Sequence, residues 1–412
     1  MTSTYEVIIV GGGNLGLWTA YHLAQRGQHV AVCEKHWAGS GATSRSAGMV
    51  RQQGGTETAT RLGIRSRELY LQLGTELGLD SGFHQTGYYV LAEREEQRPL
   101  FAELVKLRRA WGLDNEWVDC SEGARRFPQL NWDRLVGATF TATDGYVEPP
   151  VVVRNITLGV LRTGKVDLFE RCPVESLQPV NGAYRLQTAR GTLESARVVN
   201  AAGSHGFQRV GAWLDLPELF QPTSEAGRRP LVTASRHQIV AFPNVEAMAS
   251  RPWPMALALE SQFYVRPDEH GVLLGMTNPK EETDFSDREQ LAFDWQYYEH
   301  LRPTWEALVP ALAGLEVSRA WAAAVDRTPD HKPIIDEPRR GFFVVAAGSH
   351  GIMQGPALGE QLAGVILGQP LTGKLRAEVI LARFAGQLQR DPIVVGPWRQ
   401  LEANPEGKDN AP

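Results

Sequence analysis

Gly11, Gly13 and Gly16, with Asn14 and Leu15 between the last two, follow directly on the apolar run EVIIV at residues 6–10 and open a helical pattern that continues through Arg26. This spacing suits a phosphate-binding turn: Gly11 allows the sharp bend, Gly13 lets the backbone approach a pyrophosphate, and Gly16 lets helix and strand pack closely. The helix N-terminus then faces the anion. A second buried-type run, HVAVC at residues 29–33, ends on Glu34 and Lys35. In a dinucleotide fold the acid at this point binds the adenosine ribose. Strand, turn, helix, strand and acid together predict a dinucleotide site, and by themselves do not separate FAD from NAD.

Three further segments could serve the same ligand. Residues 39–53 (GSGATSRSAGMVRQQ) are rich in small residues. Their amides and the hydroxyls of Thr43, Ser44 and Ser46 can approach a pyrophosphate, with Arg45 supplying positive charge. Gly48 and Met49 follow, and Arg51 stands two residues beyond Met49. A β-rich run, RVVNAAG, ends on Ala201, Ala202 and Gly203. Near the C-terminus, GFFVVA at residues 341–346 predicts a strand, and the glycine-rich AGSHGIMQGPALGE that follows opens a helix running to about Gly368. It carries Gly348, His350, Gly351, Ile352, Met353 and Gln354.

These segments, over most of the chain, resemble the signatures of the D-amino-acid oxidase superfamily, in the branch around sarcosine oxidase beta subunits and amino-acid dehydrogenases. The resemblance implies FAD rather than NAD. It makes residues 39–53 the second flavin signature and residues 347–360 the flavin-ring loop, whose amides would stabilise negative charge at the reduced ring. It also places the backbone of Val174 at the adenine. His350 matches the family's loop histidine only if a shifted pattern is accepted, and a capping or core histidine reads equally well. Arg45 stands where dimethylglycine dehydrogenases hold a flavin-bonding histidine and Ala323 where some oxidases hold a bonding cysteine, so noncovalent FAD is expected. Leu273 stands where monomeric oxidases carry a lysine near the flavin, which leans against oxygen as acceptor. Val325 stands where glycine and D-amino-acid oxidases typically hold an arginine.

The elements between the signatures must supply the substrate site. HQIVAF (237–242), QFYVR (262–266) and VLLGM (272–276) read as strands, followed by a helix from about Asp287 to Leu308. Tyr264 and Arg266 alternate along one strand and share a face, where Arg266 could clamp a carboxylate and Tyr264 donate to it; a surface arginine beside a packed tyrosine is the alternative. Arg51 is a second clamp candidate, or a structural or pyrophosphate partner. His237 and Gln238 are weaker candidates.

The chain has 412 residues, room for two interleaved domains. The fold class expected is α/β: an FAD-binding Rossmann-like domain of glutathione-reductase type (1–80, 146–215 and 326–390), interleaved with a mixed β-sheet substrate domain (81–145 and 216–325), with 391–412 as a surface tail. Lys plus Arg number 42 against 47 Asp plus Glu, which lacks the basic excess of a nucleic-acid binder. Three cysteines without metal-ligand spacing argue against a zinc site and suit a reducing compartment, so the cytoplasm is the default. No signal peptide or membrane span is expected from the start of the sequence. The function expected is oxidation of the C–N bond of an amine or amino acid, with a separate electron acceptor or partner subunit left open. A 2-hydroxy-acid dehydrogenase is the runner-up, and a flavin-binding subunit that only assembles a complex is a third reading.

Overall fold

A computed structural model describes residues 2–222, 228–243, 253–269, 271–278 and 291–385. At its centre the fully buried run Val7–Val10 pairs in parallel with Val30–Cys33 on one side and Val198–Asn200 on the other. Outer strands Val166–Phe169 and Phe342–Ala346 continue the parallel sheet, and Ile334–Arg339 closes it antiparallel. Runs of β-branched residues buried on both faces are what such a sheet requires.

One face is covered by the helices Asn14–Gln25, Glu57–Leu77, Pro149–Arg162 and Gly351–Ile366, packed into one apolar core. The other face carries a second core, roofed by the meander Val174–Val180, Ala183–Thr188 and Gly191–Ser195, with Thr2–Thr4 added at its edge. Asn181-Gly182 and Arg190-Gly191 make the turns between its strands.

Beside this unit stands an eight-stranded sheet in the order Arg319–Arg327, Thr233–Pro243, Gly271–Thr277, Phe263–Asp268, Met255–Ala258, Tyr88–Ala92, Gly137–Thr141, Glu116–Val118. The helix Trp295–Leu308 packs on its far face. This helix starts later than the sequence pattern implies, because Asp294 caps it by accepting from the amide of Tyr297 at 2.9 Å. Residues 287–290 of the expected helix, and the tail at 391–412, lie outside the described residues. A small sheet, Met49–Val50, Gly145–Val147 and Phe83–Gln85, joins the flavin-signature segment to the chain that leads into the large sheet.

Candidate active site

A cavity of about 1240 Å³ runs from the glycine turn to the large sheet. Single small-molecule pockets occupy roughly 300–1,000 Å³, so there is room for a dinucleotide and a second ligand.

At the first end, Gly11 takes φ +108, and a Cβ on Gly16 would lie 2.0 Å from the Gly11 carbonyl oxygen. Both positions are closed to any side chain by the protein itself. Gly13 differs, since a Cβ there would meet only Thr43 Oγ1, at 3.5 Å, leaving open the space into which a pyrophosphate would come. The Glu34 carboxylate accepts from the amides of Gly12 at 2.8 Å and His36 at 2.9 Å, which fixes it at the cavity wall. Thr43 Oγ1 accepts from the amide of Asn14 at 3.1 Å and ties the 39–49 loop to the first helix. Leu15, Lys35, Arg45, Ser46, Gly48, Met49, Val174, Ala201, Ala202 and Gly203 line the same cavity. Arg45 is held by the carbonyls of Ser40 and Gly41.

The second cradle is the N-terminus of the helix Gly351–Ile366, whose residues Gly351, Ile352 and Met353 line the cavity with His350 at the N-cap. The turn before it is built by a residue the sequence pattern did not single out. Buried Asp326 accepts from the amides of Ala347 at 2.6 Å and Gly348 at 3.0 Å, and burial raises its carboxyl above the ordinary range. A second unforeseen link joins the two cradles: Asn14 Nδ2 donates to the Gly351 carbonyl at 2.8 Å and to the Tyr70 hydroxyl, which itself donates to the Ile352 carbonyl. Helix propensity could not single out Tyr70; only its tertiary partners mark it.

At the far end the cavity meets Arg51, Tyr88, His237, Ile239, Tyr264 and His350. Tyr264 lies across Gly275 on the neighbouring strand, where a Cβ would come within 2.0 Å of its ring, so the glycine is what lets the phenol lie flat on the sheet. Burial pushes its hydroxyl above its usual range. His237 is lowered to about 4 by burial, then by His350 and Arg327, and is a neutral imidazole near pH 7. Arg51 is 6% exposed. Its Nη1 donates to the Gln53 carbonyl at 2.8 Å, while its Nε has no hydrogen-bond partner.

Arg266 corrects the sequence expectation. It shares a face with Tyr264 but sits beyond the cavity, 2% exposed, with Nε on the Ala47 carbonyl, Nη1 on Glu148 and the Pro267 carbonyl, and its guanidinium 4.2 Å from the centre of the Tyr146 ring. Its Nε and Nη1 donors are spent on the protein. Ser44 donates to the Gly39 carbonyl, a Cβ on Gly348 would press on the Lys332 carbonyl, and Gln354 is buried in the helix; none of the three lines the cavity. Gly16 does not line it either and acts through packing.

Two helix ends and the acid after Val30–Cys33, meeting at one cavity, define a dinucleotide-binding protein. Residues 6–364 match the family model described as DAO, FAD dependent oxidoreductase, and the chain belongs to that family. The donor set fits FAD, with small-residue amides for the pyrophosphate and a helix N-terminus at the position of the ring loop. The chain is 28% identical over 390 residues to glycine oxidase of Bacillus licheniformis, covering 90% of this chain and 95% of that one. It is 26% identical over 388 residues to the mitochondrial sarcosine dehydrogenase of Homo sapiens, of which it spans 40% of the length. The crystal structure of L-proline dehydrogenase from P. horikoshii superposes with a TM-score of 0.81 at 24% identity, covering 94% of this chain and all of that one, which establishes the fold. No helix among the described residues is long and apolar enough to cross a membrane.

Proposed function

We propose that this FAD-dependent oxidoreductase oxidises the C–N bond of a small amino acid or secondary amine bearing a carboxylate, of the sarcosine, proline or glycine kind. The observation that carries the reading is the buried Arg51 guanidinium at the cavity wall with a donor left over at Nε. A buried charge that keeps a free donor is costly unless a ligand completes it, and a carboxylate matches a guanidinium edge. The relatives named above, glycine oxidase and sarcosine dehydrogenase, bear names of the same substrate class.

Bound FAD would supply the acceptor for the hydride on the carbon next to nitrogen. The protein supplies the rest. Arg51 anchors the carboxylate, Tyr264 offers a hydroxyl that stays protonated, and the neutral His237 can accept a hydrogen bond from the substrate nitrogen, which enters as the free amine. The imine product hydrolyses in water or stays cyclic. We assign FAD binding to 1–80, 146–215 and 326–390 and the substrate to 81–145 and 216–325. The FAD is held without a covalent bond, so acid precipitation should leave it in the supernatant. Leu273, which stands where monomeric oxidases carry a lysine, is buried among Ala47, Ile239, Met49, Tyr264 and Trp321, which favours an acceptor other than oxygen.

The test is anaerobic bleaching of the flavin absorbance by sarcosine, L- and D-proline, glycine, other D-amino acids and 2-hydroxy acids, followed by air. Bleaching by amines with slow return of colour supports the reading. Bleaching by hydroxy acids alone replaces it with a 2-hydroxy-acid dehydrogenase, and no bleaching favours a subunit that needs a partner.

A further inference from the structure

Directly after Arg51 the chain enters a knot of buried polar side chains. Asp144 Oδ1 accepts from the Gln52 amide at 2.8 Å and from Gln52 Nε2 at 2.9 Å, and its Oδ2 accepts from Gln53 Nε2 at 3.2 Å. Gln53 Nε2 also donates to the Tyr88 carbonyl at 2.7 Å, and its Oε1 accepts from Thr139 Oγ1 at 2.8 Å and Asn115 Nδ2 at 3.3 Å. From the helix Arg98–Ala110, Arg108 donates through Nε to the Gly54 carbonyl at 2.9 Å and through Nη2 to the Gln53 carbonyl at 3.3 Å. Asp144, Gln53, Arg108, Asn115 and Thr139 are all fully buried.

The Gln53 carbonyl is the point of convergence. It is the acceptor of Arg51 Nη1 and is at the same time gripped by Arg108. Two cations therefore meet at one oxygen, and the carboxylate bonded to the flanking Gln52 and Gln53 is Asp144. Fully buried polar networks seldom add stability over a well-packed apolar core, but they fix geometry sharply when every member is satisfied.

We propose that Asp144, Gln53 and Arg108 are positioning residues which set the presentation of Arg51 and thereby the preference for carboxylate-bearing substrates. This rests on the reading of Arg51 as the carboxylate anchor. The clamp holds the backbone at 52–54, and that backbone holds Nη1 of a guanidinium that lines the cavity.

The test titrates propionate and propylamine into the holoenzyme and follows the flavin absorbance. Asp144→Asn keeps the size of the side chain but removes its charge and puts a donor against donors. It should weaken propionate by about tenfold, a loss of one hydrogen-bond-sized interaction, and leave propylamine within about twofold. Thr139→Val, which removes one hydroxyl from Gln53 Oε1 without changing shape, should show the same selectivity at about threefold. Equal losses for both ligands, or no loss in either variant with full FAD content, overturn the proposal; if Asp144→Asn does not fold, Thr139→Val decides. Arg51→Met separates the two readings. If it leaves propionate binding intact, or if the wild type binds no propionate, the anchor reading fails and this inference with it. If it abolishes propionate binding while Asp144→Asn does not weaken it, only the clamp fails.

Discussion

The two ends of the cavity are built on opposite plans. The dinucleotide end is made of main chain: glycines without side chains, helix-end amides, and a carboxylate pinned by two amides. The end proposed for the substrate is lined by side chains from separate strands, Tyr264, His237 and Tyr88, together with Arg51 from the segment after Met49. A main-chain site leaves a local sequence signature because close approach of backbone demands glycine. A side-chain site leaves little, because the strands that meet at it are far apart in the chain.

The largest effect that would break this contrast concerns the glycines. Gly13→Val should fold and purify colourless, since φ at Gly13 is an ordinary −78 and the added group meets only Thr43, yet it would fill the pyrophosphate space. Gly16→Ala should instead lower stability whether or not FAD is added, because its Cβ falls 2.0 Å from the Gly11 carbonyl oxygen. Thermal melts and flavin content of both variants separate ligand space from packing space. A yellow Gly13→Val protein breaks the assignment.

Arg266 shows where reading from the sequence stops. The alternation that puts it on the face of Tyr264 is correct, but alternation gives the face and not the depth. Two residues further along, the strand has passed beneath the 45–49 loop, and the guanidinium closes on Ala47, Glu148 and Tyr146. The central strands, the glycine turn and the ring-loop helix were legible because each is specified by neighbours in sequence. Asp326, Tyr70 and Asp144 were not, because their partners lie on distant segments. Arg266→Ala should cost about 3–5 kcal/mol in urea unfolding, the usual penalty for breaking a buried ion pair, with equal effect on charged and uncharged substrates. Selective loss of carboxylate substrates would return Arg266 to the binding site.

A smaller effect belongs to the dinucleotide unit alone. His22, stacked on Trp18 and with no hydrogen-bond partner for Nε2, is lowered to about 4, chiefly by burial. The unfolded chain therefore binds a proton that the folded one refuses between pH 6.5 and 4, and stability must fall as pH falls through that window, by up to about 3 kcal/mol. Asp144, raised to about 6 by burial, works in the opposite sense, since the folded state then holds the extra proton. Comparing wild type with His22→Leu cancels the shared background. The wild type should lose up to about 3 kcal/mol relative to the variant as the pH is lowered from 7 to 4, and a constant difference would show that His22 titrates normally.

Arg51 sharpens the comparison most finely, because it belongs to both plans: its position follows the 39–49 segment in sequence, and its side chain is the one proposed to anchor the substrate carboxylate. Arg51→Lys keeps the charge and loses the fork, so it tests geometry apart from electrostatics. If the guanidinium edge binds the carboxylate, KM for carboxylate substrates should rise by about ten- to a hundredfold with kcat changed much less, the pattern of lost binding common to ground and transition states. Flavin content should hold, since the pyrophosphate end keeps its own amides and hydroxyls. A loss of FAD in place of a rise in KM would move Arg51 to the main-chain end of the cavity. The substrate end would then have to find its cation in Arg327, which also lines the cavity and whose charge already acts on His237.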